Sequence, residues 1–335
     1  MSKDKAYSID YPRNVFVRRS LTSLGKLILS LLSNVQISGK DILPQKGPVI
    51  LVGNHVSALE AVLMAVYTPG IVEFLGTGDI PFDPNYAAVV KAYGLVPINR
   101  GNLDRKGLQM ALDVLEQGGI LGVFPEGGIW DPAQMQAQIG AAWLSYRAQA
   151  PVIPIGFGGM KDGLGKALHL RHPKLIMNVG DPLPPVKVTE KNGSMKQQLQ
   201  NASDLIMSRV IDLVPNEDLE IFQKHVDETY QLEIDVFHHK ALITIPENLK
   251  IEHGPAYARF LFNPTMMDVL VRNLNLPIQP IKQVILQFNL EPLINAWEVI
   301  LDYLKTNPGF FTYRFGIDTG IAVKDALIEL VALRN

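Results

Sequence analysis

Six short apolar runs constrain this chain more than any other feature: residues 48–52, 71–75, 95–98, 120–124, 152–156 and 175–179. Each has strand length. The segments at 84–93, 104–117 and 139–149 between them carry apolar residues at helical spacing. Over 104–117, Leu108, Ala111, Leu112 and Leu115 fall on one inward face, and Gly118-Gly119 stops the helix. Strands separated by helices of this length need crossover connections. The pattern therefore predicts an α/β fold, a mainly parallel sheet flanked by helices.

Open sheets of this kind place ligand sites at the carboxyl ends of their strands. Three of the runs end in polar residues: Gly53-Asn54-His55 after the first, Asn99-Arg100-Gly101 after the third, and Phe124-Pro125-Glu126-Gly127-Gly128 after the fourth. A base, a fixed cation and glycine-exposed amides are the parts that acyl or phosphoryl transfer needs. His55 falls where a strand ends and a helix, opening near Glu60, is about to begin. On one continuous helix His55 and Glu60 would diverge by about 140°. They meet only if His55 lies in the loop and Glu60 reaches back from the first turn. The same letters, Ser57-Ala58-Leu59-Glu60, also spell a capping box. From these residues alone both readings of Glu60 stand.

Composition removes several classes. The 335 residues include no cysteine, so disulfides, thiolate catalysis and zinc–thiolate sites are excluded. A formal net charge of −2 argues against nucleic acid as a partner. No apolar run approaches the roughly 20 residues that span a bilayer, and the first residues given do not have the charged-then-apolar pattern with a small-residue cleavage site expected of a secretory leader. The economical expectation is an intracellular protein.

Residues 17–35 form an amphipathic helical pattern. Val17, Leu21, Leu24, Leu27, Ile28, Leu31, Leu32 and Val35 share one face. Arg18, Arg19, Thr22, Ser23, Lys26, Ser30 and Ser33 take the other, with Leu29 the exception. Such a helix either packs on the protein's own core or lies on a membrane surface. Residues 181–196, rich in Pro, Gly, Lys and Asn, read as a linker. Beyond it, helical periodicity is expected over 196–213, 217–238, 265–274, 281–290, 292–305 and 320–333. His238-His239 reads as a helix end rather than a metal site. The aromatic run 310–315 reads as core. The expected organisation is an N-terminal amphipathic helix (1–40), an α/β domain (41–185) and a mostly helical C-terminal extension (186–335).

At these residues the sequence resembles a family, the glycerolipid acyltransferases, the group that includes 1-acylglycerol-3-phosphate acyltransferase. Asn54-His55 and the five residues through Glu60 look like its His-x-x-x-x-Asp motif. The segment from Gly94 through Pro97-Ile98-Asn99-Arg100-Gly101 is similar to the second motif, which ends in a phosphate-binding Arg. Phe124-Pro125-Glu126-Gly127 resembles the Phe-Pro-Glu-Gly block. Ala150-Pro151-Val152-Ile153-Pro154-Ile155 resembles the fourth, an apolar strand containing Pro. Asn178 to Leu183 is like the strand and turn that close the domain. The likeness covers roughly residues 35–185.

The resemblance implies transfer of a fatty acyl group from a thioester, acyl-CoA or acyl carrier protein, to an alcohol of a lysoglycerolipid or related acceptor. It implies His55 as general base and Glu60 as its orienting acid, with Asn54, Arg100, Glu126 and Gly127 binding substrate. No metal or other cofactor is implied. The expected setting is phospholipid biosynthesis at the inner face of the cytoplasmic membrane, reached through the N-terminal helix. Three departures matter. Glu60 replaces the usual Asp. Gly128-Ile129-Trp130-Asp131 stands where Thr-Arg-Ser usually follows. Gly76-Thr77-Gly78-Asp79 stands where a Lys is common. With two cations gone, the acceptor is expected to be less anionic than glycerol phosphate. The rival reading is a lipid-binding or tethering module on the same fold that has lost its chemistry.

Overall fold

The computed structural model of the chain describes residues 8–55, 57–77, 87–98, 104–125, 139–160, 162–189, 193–219, 233–238, 241–243, 285–306 and 317–332. The chain divides into two compact units. The larger holds seven strands: β1 (Asn34–Ser38), β2 (Val49–Gly53), β3 (Val72–Thr77), β4 (Val96–Ile98), β5 (Ile120–Val123), β6 (Val152–Gly158) and β7 (Lys174–Val179). Their order in the sheet is β1-β7-β6-β2-β5-β3-β4, so β2 is central. β6, β2, β5 and β3 are parallel to one another. β7 is antiparallel to β6 and parallel to β1, so this outer pair runs the other way. The mainly parallel sheet expected from the apolar runs is present.

Between and beside the strands are α1 (Val15–Leu32), α2 (Leu59–Tyr67), α3 (Ala87–Tyr93), α4 (Arg105–Glu116), α5 (Gly140–Ala148), α6 (Gly163–Leu168) and α7 (Met195–Ile211). Both faces of the sheet are covered, which is why β2 reads as a continuous apolar run rather than an alternation. Its side chains still divide by parity. Ile50 and Val52 join a core with Leu112 and Leu115 of α4, Leu144 of α5 and Ile206 and Val210 of α7. Val49 and Leu51 join a core on the other face with Leu63 and Met64 of α2 and Leu29 of α1. On α4, Ala111, Leu112 and Leu115 are buried and Leu108 partly so, as the spacing predicts. Asp104 caps that helix by accepting the Gly107 amide at 2.9 Å.

Three expectations change. First, α1 is a helix, but its buried face is not the apolar one. Leu29, the odd residue of the polar face, is buried, and so is Arg18, at 1% exposure. Leu24, Leu27, Ile28 and Leu31 are exposed, as is Phe16 at 84%. The cause is Glu73, fully buried on β3. A buried carboxylate is costly unless paired. Arg18 supplies that pairing through both terminal nitrogens, and Arg13 adds a contact at 3.0 Å. Arg18 also donates to the Tyr93 and Gly94 carbonyls at 2.8 and 3.0 Å, and its guanidinium lies 4.7 Å from the centre of the Tyr93 ring. Turning Arg18 inward turns the apolar stripe outward. The helix also ends at Leu32, and residues 34–38 are strand rather than the helix tail expected through Val35.

Second, residues 181–189 are pinned to the sheet rather than loose. Leu183 exchanges both backbone bonds with Val152, and the Val186 amide donates to Ser145 Oγ. α7 then packs on the sheet, with Leu199, Ile206, Met207 and Val210 buried. Third, the C-terminal region is not wholly helical. The smaller unit contains β8 (Glu233–His238), β9 (Ala241–Ile243) and β10 (Ile285–Asn289), in the order β10-β8-β9. Helices were expected over the first and last. Glu233-Ile234-Asp235-Val236 has period two, and its β-branched residues favour a strand. His238 therefore ends a strand. The remaining expectation holds in α8 (Leu290–Thr306) and α9 (Ile317–Ala332). On α8, Ile294, Trp297, Ile300 and Leu304 form the buried stripe. The helix expected over 265–274 and the aromatic run 310–315 lie outside the described residues.

Candidate active site

His55 follows the last residue of the central strand by two. Gly53 closes that strand because a Cβ there would lie 2.6 Å from Phe157 Cε2 on β6. Asn54 then locks the chain. Its Oδ1 accepts the Phe157 amide at 2.7 Å, and its Nδ2 donates to the Phe157 carbonyl at 3.1 Å. The side chain thus continues the β2–β6 ladder for one more residue. Asn54, expected to bind substrate, holds the loop that carries His55 in place through these two bonds.

Glu60 lies in the first turn of α2 and is fully buried. Both of its oxygens accept the Ser57 amide at 3.0 Å, and Oε2 also accepts the Ser57 hydroxyl at 3.1 Å. Half of the capping box is therefore formed. The other half is shifted, because Ser57 Oγ accepts the Leu59 amide at 3.0 Å and Ala58 occupies the cap position. The same Oε2 lies 3.6 Å from His55 Nδ1. Cap and His partner are one carboxylate. The separation is slightly long for a hydrogen bond.

The face of His55 is covered by Phe124, at the end of β5. The rings stack with centroids 4.1 Å apart and planes 17° apart. Phe124 stacks in turn over Phe74 of β3 at 6.4 Å. β5 pairs with β2, Val123 against Val52, so Phe124 arrives beside the His55 loop. Sequence reasoning passed over Phe124. The signal was its place as the first residue of Phe-Pro-Glu-Gly, but that β5 neighbours β2 is not written in the sequence. Arg100, Glu126 and Gly127 lie outside the described residues, as does Trp130. Among the described residues, no group of three His, Asp or Glu is arranged to hold a metal, and no helix is long and apolar enough to cross a membrane.

Residues 34–158 match the model of the Acyltransferase family. The segment runs from β1 to the end of β6 and includes His55, Glu60 and Phe124. That segment resembles the glycerolipid acyltransferases. A 1-acyl-sn-glycerol-3-phosphate acyltransferase of Bacillus subtilis (strain 168) is 23% identical to the chain over 159 residues, 47% of this chain and 78% of the relative. Among solved structures, the 1-acyl-sn-glycerophosphate acyltransferase PlsC of Thermotoga maritima aligns at 19% identity with a TM-score of 0.45, over 60% of this chain and 80% of that one. Within the matched segment, the His-x-x-x-x-Glu pair stands at the carboxyl edge of the central strand.

Proposed function

We propose that the protein transfers a fatty acyl group from an acyl thioester, acyl-CoA or acyl carrier protein, to a hydroxyl of a lysoglycerolipid. The observation that carries this reading is one imidazole held between a buried carboxylate and an aromatic face at the carboxyl edge of the central strand. With Nδ1 turned to Glu60, Nε2 is assigned the chemistry. It takes the proton of the acceptor hydroxyl as that oxygen attacks the thioester carbonyl. The tetrahedral intermediate collapses, the carbon–sulfur bond breaks, and the imidazolium returns the proton to the leaving thiolate. Glu60 stabilises the transient imidazolium, the role of the acid in a Ser-His-Asp triad. The acceptor supplies its own nucleophile, so no catalytic Ser is required.

Arg100 is proposed to hold the acceptor's anionic group, with Glu126 and Gly127 lining the same pocket. The relative from Bacillus subtilis is named for 1-acylglycerol-3-phosphate. The missing cations at residues 76–79 and 128–131 favour a less anionic lysolipid or a related alcohol here. We further propose that α1 meets the membrane peripherally through its exposed apolar stripe, at the inner face of the cytoplasmic membrane. The rival reading, a lipid-binding module without chemistry, rests on Glu60 in place of Asp and on the missing Thr-Arg-Ser after Glu126-Gly127. An acceptor panel with purified protein and acyl thioester tests the reading, following free thiol and acylated product. Turnover with a neutral or zwitterionic lysolipid supports it. Lysophosphatidate as clearly the best acceptor contradicts the acceptor assignment, and no turnover on any acceptor favours the rival.

A further inference from the structure

The turn joining α6 to β7 exposes large apolar side chains and concentrates positive charge. Leu168 and Leu170 are 67% and 66% exposed, and Leu164 is 41% exposed. Lys166, Arg171 and Lys174 are exposed among them, and Asp162 is the one acidic residue between 162 and 174. Leu170 has φ +56°, a left-handed conformation rare for a bulky residue. It occupies the position after the helix where glycine usually sits, with the Arg171 amide donating to the Lys166 carbonyl at 2.9 Å. The strained leucine gains no compensating burial.

This turn stands at the catalytic edge of the sheet. β6 runs parallel to β2, so the chain leaving β6 emerges where His55 does. A Cβ on Gly163 would meet Leu59 Cδ1 at 2.9 Å, which seats the start of α6 against the first residue of α2, next to Glu60. The Asn34 amide donates to the Pro173 carbonyl at 2.9 Å, so the C-terminal end of α1, with exposed Leu31, lies beside the same turn.

We infer that the α6–β7 turn docks on an anionic phospholipid surface, its leucines entering the acyl boundary and its lysines and arginine meeting the head groups. Apolar side chains ringed by cations fit that partner by charge and by hydrophobicity. A second copy of this chain fits poorly, because it would bring like charges together. The inference draws its purpose from the proposed acyl transfer to a lipid: the surface that supplies the acceptor would be held beside His55.

The test is flotation of the full chain with phosphatidylcholine vesicles, plain or doped with phosphatidylglycerol. Doped vesicles should bind the wild type more tightly. At about one decade or less per charge, the Lys166→Gln/Arg171→Gln/Lys174→Gln variant should lose on the order of 10²-fold of that binding. Its turnover on detergent-dispersed acceptor should be unchanged. Leu170→Gly separates docking from folding: it relieves the left-handed strain, so Tm should hold or rise while vesicle binding weakens. Equal partitioning of wild type and triple variant overturns the inference. So does a triple variant that keeps vesicle binding but loses turnover only with an acyl carrier protein donor, because the turn would then be a docking site for an acidic protein. A wild type that binds doped vesicles through these residues yet transfers no acyl group leaves the docking intact and removes the proposed function.

Discussion

Replacing Glu73 with Gln tests what holds α1 in its observed orientation. The carboxylate is fully buried and faces two guanidiniums, one of them, on Arg18, only 1% exposed. Gln keeps the shape and removes the charge. Arg18 is then a buried cation with no anion beside it among the described residues, held by neutral acceptors, two backbone carbonyls among them, and by the face of Tyr93. Breaking a buried pair in this way costs about 3–5 kcal/mol. For a domain of this size each kcal/mol moves Tm by roughly 2–4 °C, so a fall of about 6–20 °C is expected. Urea and thermal unfolding followed by circular dichroism measure it. The double variant Arg18→Met/Glu73→Leu removes both charges and should recover most of the loss, because an apolar replacement of similar volume is often neutral. If Glu73→Gln costs less than about 1 kcal/mol, the value of an exposed pair, the cluster does not orient α1.

Three further outcomes follow from the geometry. Phe124→Leu keeps apolar bulk but removes the ring beneath His55; at about 0.5–1.5 kcal/mol for such a stack, kcat should fall roughly 2- to 10-fold with KM little changed, and Phe124→Tyr should restore it, whereas equal kcat in the Leu variant would show the stack to be incidental. Asn54→Ala leaves the Phe157 amide and carbonyl without their partner and should cost about 1–3 kcal/mol; an unchanged urea midpoint would show that the loop does not depend on this brace. Burial pushes the Tyr93 hydroxyl well above its usual 10.0, and desolvation raises Tyr11 as well. A raised value in the fold means stability that is complete below about pH 10 and is lost as pH rises beyond it. Urea midpoints of the wild type should therefore fall steeply above about pH 10, and less so in Tyr93→Phe; identical slopes would remove Tyr93 from the effect.

Short apolar runs and their helical spacers made the sheet legible, because strands buried on both faces leave an unbroken hydrophobic signature. His55 in a loop and Glu60 in the next turn were legible for the same reason, since the strand end fixes where the loop must be. What the spacing did not decide was whether Glu60 caps or orients, and the carboxylate does the first while lying 3.6 Å from the ring. Which face of α1 is buried was left open in the sequence because periodicity counts apolar residues and is blind to a distant Glu73 that needs a cation. The clue was present, a carboxylate in an otherwise apolar strand. Phe124 was missed because strand order, not sequence distance, brings β5 beside β2. β8 and β10 were misread because six and five residues hold too few periods to separate a strand from a helix.

The central claim is that His55 is the base. Thioester consumption with saturating lysolipid, compared between wild type and His55→Ala, tests it most directly. A positioned general base contributes on the order of 10²–10⁴ in rate, so the variant should fall by that factor while its circular dichroism and Tm stay near those of the wild type. Equal rates for the two proteins would contradict the account.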